Sequence, residues 1–211
     1  MNFEKTITNK LKTAKRVCWR NNEFMWVSIP KNANMNFRGI CQKMGAMKQD
    51  WPRLLDRPET VFSVWRNPRT RIVSGMGEYL ARAHKKSVTP QSYSQHFKLL
   101  LADASGFDEH VEPQIVYADS VTFSHLLKFE DMVNEMMRVP VLENNQSKWR
   151  SNIQPKKTQT SKHAKGTTIE DIISDNHAVI EDLIDKYYAQ DLEIWSNLSD
   201  YEGKHLEFIG K

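Results

Sequence analysis

The chain contains 211 residues, of which 39% are hydrophobic, 10% are aromatic and 27% are charged. This length is typical of one domain, and the composition excludes a disordered chain, a collagen-like repeat and a disulfide scaffold. The two cysteines, Cys18 and Cys41, are too few for a zinc site. Residues 1–20 lack the apolar segment of a secretory signal, and no apolar run is long enough to span a membrane. We therefore expect a cytoplasmic protein.

The net charge of +4 conceals an uneven distribution of charge along the chain. Residues 1–90 hold 18 lysines and arginines against 6 acids, whereas residues 91–211 hold 12 against 20. The basic half predicts an anionic ligand. Within the acidic half, the basic segment 143–167 has no acid after Glu143. Its polar composition predicts a long loop, which is either a solvated surface segment or a lid or binding loop.

The first strand-turn-helix unit follows a basic N-terminal lead at 1–22. Residues 24–29 are apolar and rich in strand formers, and Pro30 ends the predicted strand because proline cannot donate to a sheet. A polar turn at 31–36 leads into residues 37–44, whose apolar side chains recur at helical spacing. This segment therefore predicts a buried strand, a turn and a helix.

The same pattern occurs a second time. Residues 61–65 predict a strand, Arg66-Asn67-Pro68 predicts a turn, and apolar residues continue at helical spacing through Leu80. Two such units predict an α/β domain with a central parallel β-sheet flanked by helices.

The remaining elements extend this domain to the end of the chain. No linker is visible, so we expect a single domain over 1–211. Its later elements are predicted as a helix at 93–104, a strand at 125–129, a short helix at 131–138, and a C-terminal helix at about 175–198 capped by Ser174.

The first turn has the chemistry of an anion site. A strand that enters a helix through a polar turn presents free backbone N–H groups and the positive helix end to a phosphate or sulfate. Lys31 adds a mobile cation. The turn has no glycine, and no Ser or Thr follows Lys31, so the G-x-x-x-x-G-K-[ST] signature of nucleotide hydrolases is absent.

The second turn carries a matching pair of side chains. Arg66 follows the strand directly, and Ser74 lies eight residues later, about two helical turns along. A guanidinium and a hydroxyl in this arrangement can hold one phosphate together.

These two motifs together resemble the donor site of carbohydrate-type sulfotransferases. Ile29-Pro-Lys-Asn-Ala-Asn-Met-Asn-Phe-Arg38 is similar to the 5′-phosphosulfate loop, and Val64-Trp-Arg-Asn-Pro-Arg-Thr-Arg-Ile-Val-Ser74 is similar to the 3′-phosphate site. Weaker similarities follow in the family's order at Glu109-His110, Pro113-Gln114, Leu127-Lys-Phe-Glu130, Tyr187-Tyr188 and Asp191.

The resemblance implies a P-loop-like sulfotransferase fold and the donor 3′-phosphoadenosine 5′-phosphosulfate (PAPS), with no metal. Lys31 would contact the 5′-phosphate and the bridging oxygen, and Arg66 and Ser74 would bind the 3′-phosphate. The acceptor would be a hydroxyl of a carbohydrate-like or other small molecule, without a nucleic-acid partner. The residues that would wrap the 5′-phosphate with their backbone are Asn32, Ala33, Asn34, Met35 and Asn36.

The chain departs from the family in three ways. Asn34 and Met35 stand where relatives usually carry Ser or Thr, which removes a hydroxyl contact to the donor. Asn67 replaces the usual Asp after the arginine. The N-terminal residues do not resemble the membrane anchor of Golgi enzymes, so we expect a cytoplasmic setting in a bacterium or in the host cell of a virus.

The general base for the acceptor hydroxyl is the least determined part of the site. His110 is the candidate, because the acids around it would orient the ring and raise its basicity. Asp50 and Glu59 are alternatives, since some relatives place the base in that stretch. Two other functions stay open: a nucleotide- or nucleic-acid-binding protein of the same fold without transferase activity, and a family member that binds donor without turnover.

Overall fold

The computed structural model describes most of the chain between Ala14 and Ile209. The described residues, without the side chains of residues 34, 35, 83 and 84, are Ala14, 16–50, 58–84, 88–103, Ser105, 108–151, Ile153 and 166–209. Their strands, in chain order, are β1 (Val17–Arg20), β2 (Phe24–Ser28), β3 (Met47–Asp50), β4 (Thr60–Trp65), β5 (Val121–Thr122), β6 (His125–Lys128) and β7 (His205–Leu206).

The helices are mostly short. They are α1 (Asn34–Lys43), α2 (Pro68–His84), α3 (Pro90–Ala102), α4 (Ile115–Ala118), α5 (Met132–Met137), α6 (Pro140–Glu143), α7 (Gln146–Trp149), α8 (Ile169–Asp175), α9 (His177–Leu183), α10 (Ala189–Ser196) and α11 (Leu198–Tyr201). A 3₁₀ turn covers Phe129–Asp131, and a π-helical turn covers Ile184–Tyr188. No helix within the described ranges is both long and apolar enough to cross a membrane.

The central sheet has five strands in the order β3-β1-β2-β4-β6, and β5 and β7 form a separate pair. β2/β4 and β4/β6 are parallel, which confirms the prediction for these strands. β1 pairs antiparallel with both β2 and β3, so the sheet is mixed and the prediction of a parallel sheet is wrong for this side. The reason is the tight turn at residues 21–23, because so short a connection joins only antiparallel strands.

Helices cover both faces of the sheet. Phe24 and Trp26 of β2 belong to the apolar cluster of α1, α5, α6 and α7, whereas Met25 and Val27 belong to that of α4, α10 and α11. This alternation is the two-residue period of a strand buried on both sides. A third cluster joins α2 and α3 to α8, α9 and the π-helical turn. The α/β prediction is therefore confirmed.

Two segments for which no strand or helix was predicted contribute to the core. The basic lead predicted at 1–22 includes β1, where Cys18 is fully buried, because short apolar runs between basic residues are hard to read as strands. The predicted loop 143–167 begins with helical residues, and Trp149 is buried with its Nε1 donating to Leu142 O at 2.7 Å. The basic residues 154–165 of this loop lie outside the described residues.

The predicted C-terminal helix at 175–198 is a series of shorter helices. Ser174 lies inside α8, whose N-cap is Thr168 in a capping box with Asp171. Asn176 ends α8, and its Nδ2 donates to Ile172 O at 2.9 Å. The π-helical turn then shifts the helical register, so that both Tyr187 and Tyr188 are buried.

The connections that follow the parallel strands β2 and β4 lead to opposite sides of this strand pair. After β2 the chain passes through α1 to β3 on one side, and after β4 it continues to β6 on the other. In open α/β sheets, ligands bind outside the carboxyl ends of neighbouring strands at such a switch point. The turns that follow β2 and β4 lie at this point.

Candidate functional site

The turn after β2 has a strained backbone. Lys31 and Ala33 have positive φ angles of 68° and 59°, a region in which residues with a Cβ are uncommon. Ala33 is the N-cap of α1 and offers no side-chain cap, and the first turn of α1 has no acid. The first N–H groups of a helix have no partner within the helix, so this end suits an anion. Strain of this kind is often found at ligand-binding sites.

The Lys31 side chain lies along α2. Its Nζ is 3.7 Å from Glu78 Oε2, and Glu78 Oε1 accepts a hydrogen bond from Arg82 Nε at 3.0 Å. Lys31 is partly exposed, with a side-chain accessibility of 21%. Because lysine has a long flexible stem, Nζ can move from Glu78 to a ligand without moving the backbone.

Arg66 is held much more firmly. Its guanidinium is buried, its Nε donates to Thr70 Oγ1 at 3.1 Å, and its Nη1 donates to Lys31 O at 3.4 Å. The guanidinium also stacks on Phe129, 4.7 Å from the ring centroid. Burial lowers the pKa of Arg66 to about 10, against the opposing effect of Glu130, so the side chain stays charged at neutral pH. Arg66 is therefore a fixed, buried cation at the turn after β4.

Ser74 lies on the face of α2 between these two cations. Thr70, Ser74 and Glu78 are spaced by four residues and share one face of the helix. Thr70 contacts Arg66 and Glu78 contacts Lys31. At about 1.5 Å of rise per residue, Ser74 is about 6 Å along the axis from each. The structure therefore brings Lys31, Arg66 and Ser74 to one side of α2.

A buried amide network fastens the two turns together. Asn32 Nδ2 donates to Val64 O at 2.7 Å and to Gln114 Oε1 at 2.5 Å. Gln114 Oε1 also accepts from Arg66 N at 3.0 Å, and Gln114 Nε2 donates to Arg66 O at 2.9 Å. Gln114 thus fixes the distance between the turns. The weak similarity at Pro113-Gln114 was the sequence signal for this residue.

Asp191 anchors this network from α10. Its carboxylate accepts from Gln114 N at 2.5 Å and from Ile115 N at 2.9 Å. Burial raises the pKa of Asp191 to about 6, although Arg71 and the two backbone hydrogen bonds oppose the shift. The hydroxyl of neighbouring Tyr188 donates a hydrogen bond to Val111 O. Tyr188 and Asp191 therefore hold the backbone of residues 111–115, the segment that carries Gln114.

Arg71 is a buried residue that links α2 to two other segments, a role that the sequence did not suggest. Its Nε donates to Pro30 O at 3.2 Å and its Nη1 donates to Glu112 O at 2.6 Å. These bonds connect α2 to the turn after β2 and to the segment that contains His110. Arg71 is 1% exposed, and its two bonds to backbone carbonyls give it a positioning role.

His110 lies beside α2 and is largely buried. Its Nδ1 is 3.3 Å from Asp108 Oδ2, and its Nε2 is 3.9 Å from Glu109 Oε1. A Cβ on Gly75 would lie 2.1 Å from His110 O, so only glycine allows this close approach of helix and loop. Glu109 also faces Arg82 Nη1 at 3.8 Å, which extends the row of charges that begins at Lys31.

The two alternative bases lie in different places. Asp50 pairs with Val17, which pairs with Ser28, so Asp50 is at the same sheet edge as the Lys31 turn but two strands away. Glu59 precedes β4 at the opposite edge, about 23 Å from Arg66 at roughly 3.3 Å per residue. The structure therefore separates Glu59 from the other predicted site residues.

The end of β6 completes the edge. Glu130 Oε1 accepts from Asn67 N at 2.9 Å, and Glu130 Oε2 accepts from Trp195 Nε1 at 3.1 Å. Asn67 Oδ1 accepts from Arg69 N at 2.9 Å and so performs the turn-closing role of an aspartate. The side chains of Asn34 and Met35 lie outside the described residues.

Comparisons with known proteins do not assign this site. No family model, curated protein or solved structure matches the chain. Among the described residues, no group of three or more His, Cys, Asp or Glu side chains is placed to hold a metal ion. The chemistry of the site itself must therefore carry the functional conclusion.

Proposed function

We propose that the protein is a PAPS-dependent sulfotransferase that transfers a sulfuryl group to a hydroxyl of a carbohydrate-like or other small acceptor. The observation that carries this proposal is the junction of the two motifs, where Arg66 donates to Lys31 O and Ser74 lies between the two cations on α2. PAPS has anionic groups on both its 5′ and 3′ sides, so it requires two linked cationic sites.

The roles of the residues follow from their mobility and burial. Lys31 and the N-terminus of α1 would face the 5′-phosphosulfate, where negative charge develops on the leaving oxygen during transfer. Arg66 and Ser74 would hold the 3′-phosphate by a forked contact and a hydroxyl hydrogen bond. In a loose, in-line transfer the protein mainly positions the reactants and stabilises charge.

Ligand-dependent thermal unfolding tests the donor site. Adenosine 3′,5′-bisphosphate at about 100 times its Kd should stabilise the protein by roughly 2.7 kcal/mol, which is several degrees for this size. AMP, which lacks the 3′-phosphate, should stabilise it less. Ser74→Ala should reduce the bisphosphate shift but not the AMP shift, while Ser94→Ala on α3 leaves both unchanged.

The outcomes separate the possible functions. Equal shifts with the bisphosphate and AMP, or a shift only with ATP and magnesium, would contradict a PAPS site. A bisphosphate-specific shift without release of bisphosphate from PAPS would indicate a binding protein without transferase activity. Bisphosphate release together with sulfated acceptor would establish the transfer.

A further inference from the structure

The two outermost strands of the central sheet differ in how their outer sides are covered. β6 is the last strand on one side, and Leu126 N there donates to Glu202 Oε1 at 3.0 Å. Glu202 is held in turn by Arg138 Nη2, which is 2.8 Å from both carboxylate oxygens. β3 is the last strand on the other side. Among the described residues, no side chain bonds to the backbone of β3 from its outer side.

The hairpin of β1 and β2 determines which backbone groups face β3. Asn21 N donates to Phe24 O at 3.1 Å, so these two residues are a hydrogen-bonded pair at the end of the hairpin. Hydrogen-bonded and non-hydrogen-bonded pairs alternate along an antiparallel ladder. Cys18 and Arg20 are therefore in non-hydrogen-bonded pairs with β2 and direct their backbone groups towards β3.

The same alternation determines which residues of β3 face outwards. The residues opposite those two β1 residues are Gln49 and Met47, so their backbone groups bond to β1. The thiol of the paired cysteine also donates to Gln49 O at 3.8 Å, which agrees with this orientation. Lys48 and Asp50 therefore present their backbone N–H and C=O groups to the outer side of β3.

The two outward residues carry opposite charges. Lys48 and Asp50 are both exposed, and they lie on the same face of β3 because they are two residues apart. Neither side chain forms an ion pair with another described residue. Neighbouring Met47 is 69% exposed, the highest value of any large apolar side chain in the described ranges. A strand with unpaired backbone groups along one side is a template for a further strand.

A second copy of β3 matches this side in one register. Two antiparallel strands bond where their outward residues lie opposite each other, so β3 can pair with its copy in three ways. Two of these place Lys48 opposite Lys48, or Asp50 opposite Asp50, of the second copy, and like charges in opposite positions are destabilising. In the third, Gln49 lies on the twofold axis and each lysine is opposite the aspartate of the other copy. This register forms two attractive pairs at once.

We propose that the protein self-associates through β3 as a twofold symmetric dimer, in which the two central sheets join into one continuous sheet. Each copy then presents the same surface to the other, as in the commonest class of homodimers. The pairing uses Met47–Asp50, about 13 Å of strand at roughly 3.3 Å per residue. So small a contact is typical of weak interfaces, and we therefore expect reversible association. The inference does not depend on the proposed sulfuryl transfer.

Charge reversal tests the surface. Sedimentation velocity of the full chain without nucleotide, from about 1 to about 500 μM, covers dissociation constants in the micromolar range. The wild-type sedimentation coefficient should rise with concentration. Asp50→Lys alone and Lys48→Asp alone should each weaken association by about 10- to 100-fold, because two attractive pairs become repulsive. An equimolar mixture of these two variants should associate at least as tightly as the wild type, since every cross-strand pair then joins opposite charges.

The matched control places the same charge change at the other side of the sheet. Asp200 is exposed on α11, which packs against β6. Asp200→Lys should therefore associate as the wild type does.

A disulfide tests the register. A twofold axis at Gln49 puts the two copies of this residue in a non-hydrogen-bonded pair, with Cα atoms about 4.5 Å apart and within reach of a disulfide. Gln49→Cys should therefore form a covalent dimer under mild oxidation. Cys18→Ala is the background, because Cys18 lies opposite Gln49 within the chain. Met47→Cys in the same background is the control, since its two copies would be about 13 Å apart along the strands.

A wild-type protein that stays monomeric over the whole range would overturn the proposal. Association that Asp50→Lys leaves unchanged, or that the mixture does not restore, would also overturn it. Disulfide formation by Met47→Cys as fast as by Gln49→Cys would exclude the register. Loss of association in each charge variant and its recovery in the mixture would support the pairing, because a variant that failed to fold would not recover on mixing. Donor binding is tested separately by the bisphosphate shift of the wild type.

Discussion

The turn after β2 and the turn after β4 lie side by side at the carboxyl edge of the sheet, but their cations are held in different ways. Lys31 is partly exposed on a backbone with two positive φ angles, and its Nζ is 3.7 Å from Glu78. Arg66 is buried, stacked on Phe129 and bonded to Thr70. Under the proposed function, the movable lysine would serve the reacting groups and the fixed arginine would set the position of the donor.

The largest expected effect follows from replacing the movable cation. Lys31→Ala should lower sulfuryl transfer by about 10²- to 10³-fold or more, as removal of one oxyanion-stabilising donor does in other enzymes. Its free energy of unfolding should stay within about 0.5 kcal/mol of the wild type. The measurements are bisphosphate release from PAPS and urea denaturation, with the exposed Lys98→Ala as control. A variant that retains full turnover would remove Lys31 from the reaction.

The second effect concerns Asp191, which anchors the amide network beneath both turns. Its pKa is raised from 3.8 to about 6 by burial, so its stabilising contribution is fully present below pH 3.8 and is lost as pH rises through about 6. The difference in unfolding free energy between wild type and Asp191→Asn should therefore shrink by up to about 3 kcal/mol between about pH 4 and pH 7.

Urea denaturation at the two pH values gives this difference directly. Asp200→Asn, at an exposed position of α11, is the control for loss of a surface carboxylate. A difference that is constant or grows with pH would contradict a raised pKa of Asp191. The ionised carboxylate would then be the form that stabilises the network.

The third effect tests whether Arg66 is kept for a ligand or for the fold. Burial lowers the pKa of Arg66, which means that its charge is disfavoured in the folded protein. Apolar residues of similar volume often replace buried charges without loss of stability. Arg66→Met should therefore keep the unfolding free energy within about 1–2 kcal/mol of the wild type or raise it, and should abolish stabilisation by adenosine 3′,5′-bisphosphate.

Urea denaturation and ligand-dependent thermal unfolding measure these two properties, with exposed Arg150→Met as the control. A loss of several kcal/mol together with retained bisphosphate binding would reverse the conclusion, since Arg66 would then be a structural residue.

The smallest expected effects concern the backbone conformation of the two turns and its contribution to the free energy of unfolding. Ala33→Gly removes a Cβ from a left-handed conformation and should raise the unfolding free energy by up to about 1 kcal/mol. Asn67→Gly should lower it by about 1 kcal/mol, because it deletes the hydrogen bond that Asn67 accepts from Arg69 N. Urea denaturation of both variants is the measurement. Changes of the same sign would mean that the two turns do not differ in strain.

The parts of the site that could be predicted are those encoded by neighbouring residues. The runs at 24–29 and 61–65, ended by Pro30 and by Arg66-Asn67-Pro68, predicted both strands correctly. The predicted turn at 31–36 is too long, because α1 already begins at Asn34. The contact between Glu78 and Lys31 could not be predicted, because the two residues are distant in sequence and only the packing of α2 brings them together. The same holds for Arg71, whose bond to Pro30 O crosses from helix to turn.

The sequence by itself determined the alternation of strands and helices and the two basic turns, because hydrophobic period, proline and charge act over a few residues. Only the tertiary structure decided the antiparallel side of the sheet, the switch point between β2 and β4, and the bonds of Gln114 and Asp191 that join the turns. Strand order and buried hydrogen bonds depend on which distant segments pack together, and that is set by the burial of the whole core.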